Sequence, residues 1–215
     1  MDFYDALSIT FVQLRCWDIN MNYIETCKEV IQRPSDFYRK MPTTGGYADP
    51  LTFAAISFFI SGLLNALTSI LLSRAGYTDG IYGIMLGGTY GVGEFSSSTI
   101  ILYVIITPIL GIIFLLIEAA ILKIIYEIFG GTGSYEGTVR FISYAAAVNI
   151  FVWIPIFTWI FSIYMLYLSI VGGMIVHKVS MWKSLLSTLL DLLVIVLLVF
   201  AIVIAVIVVL AIFGQ

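Results

Sequence analysis

Charge is what this sequence has least of. Ten basic and thirteen acidic residues make up 11% of 215, while 61% are hydrophobic. A soluble domain carries roughly 25% charged residues, so the composition excludes a free-standing globular enzyme and predicts an all-α integral membrane protein. The net charge of −3, with no long basic run, excludes a nucleic-acid binder that works by neutralising phosphates. One histidine and two cysteines, Cys16 and Cys27, lack the partners of a structural zinc site. There is no His-Glu-x-x-His, no Ser/His pair on facing spans and no pair of intramembrane aspartates. The expectation is a protein that is not an enzyme and uses no cofactor and no metal. Met1-Asp2-Phe3-Tyr4-Asp5 has no positive charge to open a signal peptide. The first span is therefore expected to act as an uncleaved anchor.

Long uncharged runs are what the chain does have. Leu51 to Ser73, Phe95 to Ile117 and Leu192 to Phe213 each suit one membrane helix. Between Arg140 and His177 lie 36 residues with no charge. As one helix they would extend about 54 Å at ~1.5 Å per residue, against a hydrocarbon core of about 30 Å. Two spans joined by a turn fit better. The turn falls at Trp153, Pro155 and Trp159, where proline breaks the helix and indole rings suit an interface. The predicted fold is a bundle of five transmembrane helices, near 51–73, 97–122, 141–154, 157–176 and 192–213. Residues 47–215 form this membrane domain and residues 1–46 a cytoplasmic or interfacial segment of amphipathic helices.

The basic residues orient the bundle. Five spans put Arg15, Lys28, Arg33, Arg39, Lys40, Lys123, Arg140, Lys178 and Lys183 on the side of the N-terminus, and Arg74 alone on the other. Positive residues stay in the cytoplasm, so the N-terminus is expected inside and the C-terminus on the opposite side. Within the first segment, Phe3, Leu7, Phe11 and Leu14 recur at helical spacing. A second helix is expected from about Asn22 to Gln32, and Pro34 opens a third. These helices lie on the inner leaflet or on the bundle; the pattern leaves both open. The 74–94 connection, with seven glycines, reads as an outer loop, since no Gly-Lys-Ser/Thr makes it a phosphate loop.

Glu118 interrupts an apolar stretch, and a carboxylate inside a membrane tends to face a partner or a cavity. With Asn65 and Asn149 it forms a candidate intramembrane polar cluster. The competing reading puts Glu118 at the inner interface beside Lys123 and Glu127, with the asparagines joining helices. His177 and Lys178 read as a cationic cap on a helix C-terminus. Pro34, Phe37, Tyr38, Arg39, Lys40, Tyr135 and Glu136 form a candidate interaction surface.

Several stretches in order resemble a known family. They are Arg33-Pro34-Ser35-Asp36-Phe37-Tyr38, Tyr47-Ala48-Asp49-Pro50-Leu51-Thr52-Phe53, Gly133-Ser134-Tyr135-Glu136-Gly137-Thr138-Val139-Arg140, Trp153-Ile154-Pro155, and Val171-Gly172 leading to His177-Lys178-Val179-Ser180. Their order and spacing resemble the prokaryotic branch of the YIP family, the Ypt/Rab-interacting membrane proteins, over roughly residues 28–212. The resemblance implies five spans and a cytosolic N-terminus. Its eukaryotic members engage prenylated small GTPases; the long N-terminal domain and Asp-Leu-Tyr-Gly-Pro motif of those members are absent here. GTPase binding is thus implied by resemblance alone. The expected role is a membrane scaffold or adaptor that contacts the lipid bilayer and a protein partner or a second copy of itself. The alternatives are a small oligomeric transporter or channel with Glu118 in its path, and an accessory subunit of a larger membrane complex.

Overall fold

A computed structural model describes residues 22–74, 97–154 and 157–213. The helix expected over the first fifteen residues, the glycine-rich connection and Pro155 lie outside the described residues. What is described is helical: α1 (Tyr23–Gln32), α2 (Pro34–Lys40), α3 (Ala48–Arg74), α4 (Ser97–Ile128), α5 (Tyr135–Ala145), α6 (Thr158–His177) and α7 (Met181–Phe213). A 3-10 turn, Ala146–Phe151, prolongs α5.

Local chemistry sets these boundaries. The Asn22 side chain caps α1 by accepting from the Ile24 N–H, and Ser134 caps α5 by accepting from Gly137. Pro34 occupies the first turn of α2, where its missing N–H costs nothing. α6 ends at Lys178, which takes the left-handed conformation with φ 55.

Four helices are long and apolar enough to cross a membrane: α3, α4, α6 and α7. The segment expected as the third span, 141–154, is different. Its helix starts earlier, at the Ser134 cap, and Ala146–Phe151 tightens into a 3-10 turn before the chain reverses. On either side of residues 155–156 the described backbone is held by local hydrogen bonds. The Ile154 N–H donates to Phe151 O at 3.2 Å, and the Thr158 hydroxyl donates to Val152 O at 3.0 Å and to Ile154 O at 3.2 Å. Trp153 is partly buried and Trp159 is exposed.

α5 is the centre of the molecule. Every residue from Gly137 to Val148 is buried, enclosed by α2, α3, α4 and α6. α1 and α2 belong to this enclosure. Phe37 packs edge-on against Tyr144, and the Tyr38 hydroxyl donates to Phe141 O at 3.3 Å. Tyr23 meets Ser57 and Phe53 on α3, and Tyr164 on α6 bonds to Ile31 O. The described N-terminal helices therefore lie on protein, which periodicity left open. Burial pushes the pKa of the Cys27 thiol up and so favours its protonated, less reactive form. α7 is the opposite of α5. Between Leu192 and Ile212 most of the described large apolar side chains are exposed, as a helix facing lipid requires.

Candidate functional site

The three residues of the expected polar cluster do not all meet. Glu118 from α4 and Asn149 from the 3-10 turn line one cavity of about 220 Å³, walled by Phe58, Phe114, Leu115 and Met165. Asn65 lies elsewhere on α3. Its amide donates to Ser61 O at 2.9 Å and to the Ser61 hydroxyl at 3.3 Å, back along its own helix. Asn65 does not line the cavity that Glu118 and Asn149 share. Near Glu118 lies a further carboxylate, Asp191, which is inside α7 rather than at its end. It is 3% exposed and within electrostatic reach of Glu118.

A second buried polar group centres on His177, which has no solvent exposure. Its Nε2 is 2.9 Å from the Thr138 hydroxyl, and its ring stacks on Tyr126 at 4.1 Å with 8° between planes. The Tyr126 hydroxyl is 2.7 Å from Ser184 Oγ and 3.4 Å from Thr188 Oγ1. Ser184 donates to Ile170 O at 2.6 Å. Helices α4, α5, α6 and α7 are thus tied at one end by a chain of hydroxyls around an imidazole. The approach is so close that a Cβ on Gly133 would sit 2.7 Å from His177 Nδ1. The local signals were the glycines of 130–133 and the sole histidine. They sit 44 to 47 residues apart in the chain, so only the fold joins them.

Of the candidate interaction surface, Pro34, Phe37 and Tyr38 are buried against the bundle, while Arg39 and Lys40 are exposed. Phe37 and Tyr38 are turned inward and form part of the apolar cover of α5. Tyr135 donates to Leu116 O at 3.0 Å. Glu136 clamps the turn before α3: it accepts the Gly46 N–H at 2.6 Å and pairs with Arg140 at 3.5 Å, while Arg140 donates to Gly46 O at 2.8 Å. Gly45 and Gly46 both take positive φ there, 123 and 93, which side chains resist. The surface that remains outward is a groove of about 160 Å³ lined by Lys28, Glu29, Gln32, Arg33, Asp36 and Lys40. Among the described residues, no three His, Cys, Asp or Glu side chains gather as metal ligands.

Long helices bare to lipid, bound at one end by a buried polar knot, define an all-helical integral membrane protein. The model of the Yip1 domain matches residues 28–213, and the chain belongs to that family. No curated protein and no solved structure matches it.

Proposed function

We propose that this protein is a membrane scaffold or adaptor that organises other membrane components through protein and lipid contacts. One observation carries the reading: the charged groove on α1 and α2, carried by helices that are docked rigidly on the bundle. Mixed charge on a firm support suits a protein partner, because complementary charges set specificity and a rigid surface loses little entropy on binding. Removing residues 1–41 outright would strip the cover from α5, so it cannot separate binding from folding. Reversing Lys28, Arg33 and Lys40 to glutamate leaves the packed face intact. Co-purification from native membranes after gentle solubilisation should lose its partner with this triple variant while the bundle stays folded. Undiminished partner recovery would refute the assignment.

The positive residues favour a cytoplasmic N-terminus and a C-terminus across the membrane. The two ends of the α5–α6 hairpin lie together, with the Thr132 N–H donating to His177 O at 3.1 Å. The hairpin therefore starts and finishes on one side, and this orientation holds however deep it reaches. Membership of the prokaryotic branch fits the missing GTPase-associated motif.

The Glu118–Asn149 cavity favours one rival, a small oligomeric transporter or channel. In that case Glu118→Gln abolishes flux in reconstituted vesicles. Unchanged flux, or none in the unaltered protein, removes the rival.

A further inference from the structure

The helices of this bundle do not end at the same height. Tyr126 on α4 stacks on His177 and faces Gly173, both on α6, and its hydroxyl meets Ser184 and Thr188 on α7. These contacts set one common level. From it, α6 runs back to Thr158 over about 15–19 residues, or ~23–29 Å. From the same level, α4 continues to Ser97 for about 29 residues, or ~44 Å. α7 continues to Phe213 for about 25–29 residues, or ~38–44 Å. α3 follows α4, with Gly62 against Thr107 and Gly111 against Phe58. The start of α6 thus falls ~15–21 Å short of the far end of α4 and ~9–21 Å short of that of α7. The cavity gives the same register independently, since Asn149 and Gly111 line it together.

The hairpin top cannot then be at the far membrane surface. If it were, the overhang would stand in water. That overhang carries Leu67, Leu71, Ile101, Ile105, Phe200 and Ile207, all exposed and apolar, a surface that water does not tolerate. At the other end, Lys123, Glu136 and Arg140 would sink into hydrocarbon. Measured instead from the far ends, a core of about 30 Å takes about 20 residues. It reaches Ile117 on α4 and Val194 on α7, just short of Glu118 and Asp191. Charge begins where the hydrocarbon ends.

We propose that the α5–α6 hairpin is re-entrant: it enters from the side of Gly130 and Lys178 and turns inside the bilayer. The described part of the protein is consequently wider in that half, where α1, α2, α5 and α6 pack beside α3, α4 and α7, than in the other half, which holds the far parts of α3, α4 and α7. Such a wedge prefers curved membrane with its wide half in the convex leaflet. The inference is separate from partner binding.

Depth is read with the full chain, Trp17, Trp153 and Trp182 changed to Phe, in phosphatidylcholine vesicles brominated near the headgroup, at mid-chain or at the chain end. Trp159 should be quenched most by the deeper bromines. A Trp at position 212 (Ile212→Trp, with Trp159→Phe as well) should be quenched most by the shallow ones. Strongest quenching of Trp159 by shallow bromines overturns the proposal. A second variant guards against misfolding: Trp159→Cys in a Cys16→Ser, Cys27→Ala background. It should resist an impermeant thiol reagent added to either face, and labelling from the far face at the rate of Ile212→Cys overturns the hairpin. The wedge is tested by reconstituting the unaltered protein into phosphatidylcholine–phosphatidylglycerol vesicles of decreasing diameter. The fraction with Lys183 outward, read by impermeant amine labelling and mass spectrometry, should rise several-fold as diameter falls. A constant fraction overturns the wedge even if the depth result stands.

Discussion

α5 and the far half of α7 show two opposite ways for a helix to be stable in one molecule. α5 carries Thr138, Arg140 and Ser143, and all are buried. α7 beyond Asp191 has no charge at all, and most of its described large apolar side chains are exposed. In water the order would be reversed, because burial of apolar area drives folding there. Lipid tails are as apolar as leucine, so exposure costs α7 nothing, and packing and hydrogen bonds must hold α5. The difference teaches that stability in this protein is concentrated in the polar, glycine-lined end, while the far end is held by the membrane.

That contrast can be broken by mutation. The largest effect is expected for Arg140→Ala, which leaves Glu136 facing an empty site and frees the Gly45–Gly46 turn. It should cost about 3–5 kcal/mol, the range for breaking a buried pair, and lower the thermal unfolding temperature in detergent sharply. If it is as mild as a surface change, the polar end is not what holds the bundle. Next comes Val199→Arg on the bare helix, which should cost about 2.5–3.5 kcal/mol of insertion free energy. Glycosylation-based insertion of α7 measures it, and unaffected insertion would mean that this face is not in lipid. Gly173→Ala pushes a methyl into the Tyr126 hydroxyl and should cost about 1–3 kcal/mol by overpacking. Thr138→Val removes the partner of His177 Nε2 and should cost about 1 kcal/mol. Smallest is Leu197→Ala on the exposed face of α7, expected within about 0.5 kcal/mol. A larger loss there would reveal a protein neighbour on α7 and favour the subunit reading.

Much of the architecture was readable in order along the chain. Asn22 and Pro34 announced helix starts because capping acts over three or four residues, whereas the helix expected over 141–154 begins earlier, at the Ser134 cap. A reversal somewhere in 141–176 was readable because a 36-residue uncharged run exceeds what one membrane helix needs, and α5 and α6 do pack side by side. The candidate cluster was half readable. Glu118 and Asn149 share a cavity, whereas Asn65 bonds to Ser61 on its own helix. Nothing local distinguishes an asparagine aimed at a neighbouring helix from one folded back on its own. Phe37 and Tyr38 looked like a contact surface and proved to be one that α5 already occupies.

The sequence by itself determined the solvent. So few charges over so many apolar residues can only be satisfied by hydrocarbon. Tertiary structure alone decided the heights. Whether the α5–α6 hairpin reaches the far surface depends on its register against α4 and α7. That register is set by Tyr126 meeting His177 and Ser184, residues about 50 to 60 positions apart. Periodicity tells which face of a helix is apolar. It carries no information on how far one helix is slid along another, because sliding exchanges one apolar neighbour for the next, and only the polar knot and its glycines fix the stop.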